Sequence, residues 1–201
     1  MKAASRKRKT HAGSGAPRRA PARLRVIYTE RQLRRRVRGM AAQINRAYQR
    51  RTLDIVGVKD DCFLFMGDLV RALGMPVVCH FVTVRMYDAI VGDAPVREIQ
   101  YAPALELAGK DVLLVQCMLS SGVTLDFLYR HILSQGPRSL RTAALIEKPA
   151  DRKVDVATDY LAFKATGTEG HFLVGYGLGY QGLYRNLPCI AALTLDEQAV
   201  R

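Results

Sequence analysis

The 201-residue chain predicts an α/β fold, a mainly parallel sheet flanked by helices. Strand-length apolar runs alternate with segments of helical period from residue 53 onward. The apolar run 112–115 leads through a Ser/Gly/Thr loop at 120–124 into a helical stretch from Leu125, the strand–loop–helix unit of parallel sheets. Composition agrees, since 49% hydrophobic residues in one domain-sized chain can fill a substantial core.

The elements follow in order. Residues 1–38 hold 14 Lys/Arg against one acid, Glu30, whereas residues 39–201 hold 17 of each sign, so the whole net charge of +13 lies in the first 38 residues. Residues 1–25 are expected to be a disordered basic arm, because hardly an apolar side chain is available there to bury, and 26–201 a single domain. Thr29 with Gln32 three residues on forms a capping box. Leu33, Val37, Met40, Ile44 and Tyr48 then recur at helical spacing. A strand is expected at 53–58, a helix at 62–73 and a strand at 77–84, followed by a weakly patterned stretch at 85–109. A strand at 111–115 and a helix at 123–134 come next, then strands near 140–146, 160–163, 171–174 and 189–194. In such a sheet, ligands bind at the strand C-terminal ends.

Several classes are disfavoured. No apolar run approaches the ~20 residues that span a bilayer, and the basic N-terminus has no apolar segment behind it, so a cytoplasmic protein without membrane attachment is expected. Cys62, Cys79, Cys117 and Cys189 are scattered like reduced thiols, and His11, His80, His131 and His171 do not complete a zinc pattern with them. No metal site is expected.

The loop carries the functional signal. A buried strand ending in Ser120-Ser121-Gly122-Val123-Thr124 at a helix start directs N–H groups, hydroxyls and a helix dipole at one point, which suits a phosphate. The segment resembles the ribose-5-phosphate loop of type I phosphoribosyltransferases. Leu145-Ile146-Glu147-Lys148-Pro149, a strand at 154–156, Phe172-Leu173-Val174-Gly175-Tyr176-Gly177 and Tyr184-Arg185-Asn186-Leu187-Pro188 narrow the resemblance to the hypoxanthine-guanine phosphoribosyltransferases, over roughly residues 26–194. The resemblance implies a small hood built from the N- and C-terminal segments, and homo-oligomerisation.

That family transfers ribose 5-phosphate from phosphoribosyl pyrophosphate to a purine nitrogen through an oxocarbenium-like transition state. By resemblance, Ser121, Gly122, Val123 and Thr124 would bind the 5-phosphate. Lys148 would read the purine 6-oxo group, Phe172 would stack on the base, and the Leu173 backbone would contact it. Arg185 would lie on the pyrophosphate side, with Lys59 near it. The acids are missing. Gln116-Cys117 stand on the ribose side where the family has Glu-Asp, Ser120 replaces the catalytic aspartate with no activating partner patterned beside it, and Gly179 replaces a further aspartate. Asp60-Asp61 stand where the family has a basic residue and glycine, and Arg85-Met86-Tyr87-Asp88 replaces the lid's Ser-Ser-Tyr-Gly, in a stretch long enough for a mobile lid loop. Residues 164–171 are about three longer than the family loop by this resemblance.

The expected function is therefore a catalytically impaired purine phosphoribosyltransferase homologue that binds inosine or guanosine monophosphate without a cofactor. One alternative is a slow but genuine salvage enzyme using Mg2+. Another is a nucleotide-responsive nucleic-acid binder acting through residues 1–38.

Overall fold

The computed structural model describes residues 22–58, 61–91, 94–101 and 105–195, with side chains over 23–58, 61–83 and 105–195. Two apolar strands, β2 (Leu53–Val58) and β5 (Asp111–Leu119), form the middle of the sheet because both faces of each are covered. Ile55, Leu113 and Val115 pack on one side beneath α1 (Glu30–Ala47) and α2 (Phe63–Arg71), with Leu33, Ile44, Phe65 and Leu69. Val56, Val112 and Leu114 pack on the other beneath α3 (Val123–Leu133), with Leu125, Leu128 and Ile132. Each such side chain contributes about 1.5–3 kcal/mol by leaving water.

The six-stranded sheet runs β4-β3-β2-β5-β6-β7, where β3 is Val77–Val91, β4 Ala94–Tyr101, β6 Ser139–Glu147 and β7 Tyr160–Lys164. Five strands are parallel and β4 is antiparallel at the edge. A separate antiparallel sheet orders β1 (Ala22–Tyr28), β9 (Ile190–Leu195) and β8 (Phe172–Val174), which joins the N- and C-terminal segments as the expected hood. The capping box of α1 is present: the Thr29 amide donates to Gln32 Oε1 at 2.8 Å and the Gln32 amide to Thr29 Oγ at 3.4 Å.

Three expectations are corrected. Strand β1 begins at Ala22, inside the segment assigned to the arm, because its backbone pairs with β9 from Ala22↔Leu195 onward; residues 1–21 lie outside the described residues. Within 85–109, expected to be weakly patterned with a lid loop, β3 continues to Val91 and pairs antiparallel with β4, Met86 opposite Arg97. Residues 154–156 are not a strand but part of the irregular connection between a 3-10 turn (Pro149–Asp151) and β7.

Buried carboxylates anchor the strand starts, at the far end from the loop that follows β5. Asp54 Oδ1 lies 2.8 Å from His80 Nε2 and 3.4 Å from Lys110 Nζ. Asp111 accepts from the Arg138 guanidinium and, at 2.7 Å, from Ser139 Oγ. The Arg138 hydrogen bond holds the Asp111 carboxyl below its ordinary range.

Candidate phosphate and purine site

Strand β5 delivers the chain into a turn at residues 120–122, and Gly122 caps α3 in the left-handed conformation with φ of 82°. Only glycine fits: a Cβ there would lie 2.7 Å from the Val154 carbonyl oxygen and 3.2 Å from an Arg152 guanidinium nitrogen. The loop is pinned from outside, since the Ser121 carbonyl accepts from the Lys153 and Val154 amides at 3.0 and 3.1 Å. The Val123 amide lies 3.4 Å from Ser121 Oγ. Arg152 donates to the Val156 carbonyl at 2.8 Å, while its Nη1 is buried with no hydrogen-bond partner. The residues expected to cradle phosphate, Ser121, Gly122, Val123 and Thr124, thus form one turn at a helix N-terminus.

On the ribose side, Gln116 and Cys117 lie inside β5, which runs on to Leu119 rather than ending at 115. Gln116 Oε1 is buried without a partner, an acceptor that stays costly until a donor reaches it. Cys117 is fully buried, and burial pushes its thiol well above the ordinary range, so it stays protonated. Magnesium requires hard oxygen donors. Among the described residues no group of three or more His, Cys, Asp or Glu side chains converges to hold a metal ion. Gln116 and Cys117 therefore do not supply the hard anionic oxygens that magnesium takes.

Ser120 does have a polar partner, which corrects the expectation from sequence. Its hydroxyl donates to Asp151 Oδ2 at 2.9 Å, and Lys148 Nζ lies 2.8 Å from the same oxygen. The Lys148 hydrogen bond, with a smaller contribution from Ser120, keeps the Asp151 carboxyl below its ordinary range against the opposing effect of burial. Asp151 had no sequence signal; the 3-10 turn after β6 brings it to the loop after β5.

On the pyrophosphate side, Lys59 and Asp60 lie outside the described residues. Arg185 Nη1 bonds Asp61 Oδ1 at 2.5 Å and donates to the Gly177 carbonyl at 2.6 Å. A Cβ at Gly179 would lie 2.9 Å from Arg185 Cγ, so the arginine fills the space that a side chain at 179 would take. At the purine end, Phe172 is half exposed with its ring tilted against Tyr180, centroids 4.5 Å apart. Leu173 is buried in the core, and Lys148 Nζ also lies 3.4 Å from the His171 carbonyl. Helix α1 presents Arg31, Arg34, Arg35 and Arg38 on its exposed side.

A mainly parallel sheet, a hood and a Ser/Gly/Thr loop between β5 and α3 make up a phosphoribosyltransferase fold, and residues 26–181 match the phosphoribosyl transferase domain family. The hypoxanthine-guanine phosphoribosyltransferase of Dictyostelium discoideum is 34% identical over 172 residues, 84% of this chain and 94% of that protein. The hypoxanthine phosphoribosyltransferase of Haemophilus influenzae is 30% identical over 86% of this chain and 96% of its own. A crystal structure of a hypoxanthine-guanine phosphoribosyltransferase from Bacillus anthracis superposes with a TM-score of 0.77 at 29% identity, covering 87% of this chain and all of that one. The chain belongs to the hypoxanthine-guanine phosphoribosyltransferase family.

Proposed function

We propose that this family member holds purine 5′-nucleotides of the inosine and guanosine type and is impaired in transfer from phosphoribosyl pyrophosphate. The 5-phosphate sits on Ser121–Thr124 and the base lies between Phe172 and Lys148. The observation that carries this reading is the contrast between two halves of one site. The turn at Ser121–Thr124 is closed around a left-handed Gly122 at the start of α3, while Arg185 is already bonded to Asp61. A pyrophosphate approaching Arg185 must compete with that carboxylate and overcome its charge. A bound monophosphate needs neither Arg185 nor a cation.

Calorimetry tests the binding half. Inosine or guanosine monophosphate is expected to bind without magnesium, and absence of heat at millimolar concentration would remove the reading. Turnover of hypoxanthine or guanine with the activated ribose donor and magnesium is expected to be at least about 10²-fold below that of the Dictyostelium relative assayed alongside, the usual scale of lost acid–base help. Equal turnover would instead favour the salvage enzyme.

A second reading rests on α1. Its arginines 31, 35 and 38 have no acidic partner among the described residues, and they continue the basic run of residues 1–25. This supports binding of nucleic-acid phosphates through residues 1–38. Binding of a short RNA duplex should weaken steeply with salt, and charge-reversed Arg31, Arg35 and Arg38 should flatten the slope. An unchanged slope excludes this face.

A further inference from the structure

From the cluster at the end of β5 we infer that Asp151 has taken over, through Ser120, the proton-accepting part that the family aspartate plays at position 120. The inference rests on the nucleotide-site reading above and concerns the slow transfer that remains.

The argument begins with what a hydroxyl lacks. Alone, Ser120 cannot take a proton at neutral pH, because its conjugate acid is far too strong. A hydroxyl that already donates to a carboxylate can receive one proton as it surrenders another. Ser120 Oγ donates to Asp151 Oδ2 at 2.9 Å, so the surrender path is in place. Lys148 at 2.8 Å from the same oxygen keeps Asp151 ionised, although the same contact lowers the basicity of that carboxylate. The two partners come from different strand ends, Ser120 after β5 and Asp151 in the turn after β6, whose backbones are tied where the Lys148 amide donates to the Leu119 carbonyl at 2.9 Å. The carboxylate has therefore been relocated by one strand, with a hydroxyl bridging the gap.

The step balances without another reactant. The N–H proton of the incoming purine passes to Ser120 Oγ while the Ser120 proton passes to Asp151. The freed nitrogen lone pair forms the bond to the sugar's C1 as the bond from C1 to pyrophosphate oxygen breaks, and that electron pair leaves with pyrophosphate. In this scheme Ser120 touches the reacting base, and Asp151 is a positioning residue that acts through it. Lys148 thereby serves two groups at once, the purine oxygen and the acceptor carboxylate.

The test measures hypoxanthine transfer and inosine monophosphate affinity in the full chain and in Asp151→Asn, Ser120→Ala, the double variant and Asp151→Glu. Each single variant should lower kcat by at least about tenfold, within the usual range for acid–base help. The double variant should be no slower than either single, and Asp151→Glu should recover part of the loss. Nucleotide affinity is read in parallel, because Asp151 also holds Lys148, and kcat at saturating substrate separates the proton-transfer step from any change in binding. Additive losses, or an Asp151→Asn kcat equal to that of the starting protein, would overturn the inference. So would a starting protein that binds nucleotide and shows no transfer, which leaves the nucleotide reading standing. Failure to bind nucleotide at all removes that reading and the inference with it.

Discussion

In a Ser120→Asp/Asp151→Asn variant, hypoxanthine transfer should rise by about tenfold, since a direct base replaces a relayed one and the full ~10²–10⁴-fold applies only against no base at all. The single change Ser120→Asp should gain much less. Its new carboxylate would stand where Ser120 Oγ now lies 2.9 Å from Asp151 Oδ2, and two carboxylates that close cannot both ionise. Removing the Asp151 charge frees Lys148 as well, so that its ammonium faces the new aspartate and the purine together. Steady-state kinetics at saturating donor separates the cases. Equal rates for the single and double variants would show that Asp151 does not govern ionisation at position 120.

A Gly122→Ala variant should lose about two orders of magnitude in inosine monophosphate affinity. Holding a non-glycine residue left-handed costs ~1–2 kcal/mol, and the added methyl, 2.7 Å from the Val154 carbonyl, adds an overpacking cost of ~1–3 kcal/mol. The turn relieves this by shifting off the backbone amides of residues 153 and 154 that pin it, which opens the amide cradle. Calorimetry on protein shown by circular dichroism to be folded reads the loss directly. Retained affinity would mean that the phosphate binds elsewhere.

Local chemistry made much of the fold legible. The capping box at Thr29, the helical spacing of Leu33 through Tyr48 and the apolar runs of β2 and β5 each act over a few residues, and the elements formed as the sequence indicated. Strand β1 was hidden because Arg23 and Arg25 alternate with Leu24 and Val26 in a segment dominated by charge; its partner, β9, lies at the other end of the chain. The antiparallel pairing of β3 with β4 was obscured by the expectation of a lid, because its partners are read strand against strand and not within either strand's own pattern.

The site divided along the same line. The Ser/Gly/Thr loop at 120–124 is contiguous, so its place at the start of α3 was read from five residues. Asp151 reaches Ser120 across 31 positions and Asp61 reaches Arg185 across 124, so neither pairing leaves a local trace in the sequence. Those long-range pairs alter the chemistry most. They turn a list of missing acids into a rearranged set of charges.

The seat that Arg185 occupies above Gly179 constrains how this sequence can change. An aspartate at 179 would have to displace the Arg185 side chain, and loss of Asp61 would remove one of the groups that Arg185 bonds, the Gly177 carbonyl remaining. Any side chain at 179 therefore depends on where Arg185 goes, so a change at one of these positions is felt at the other.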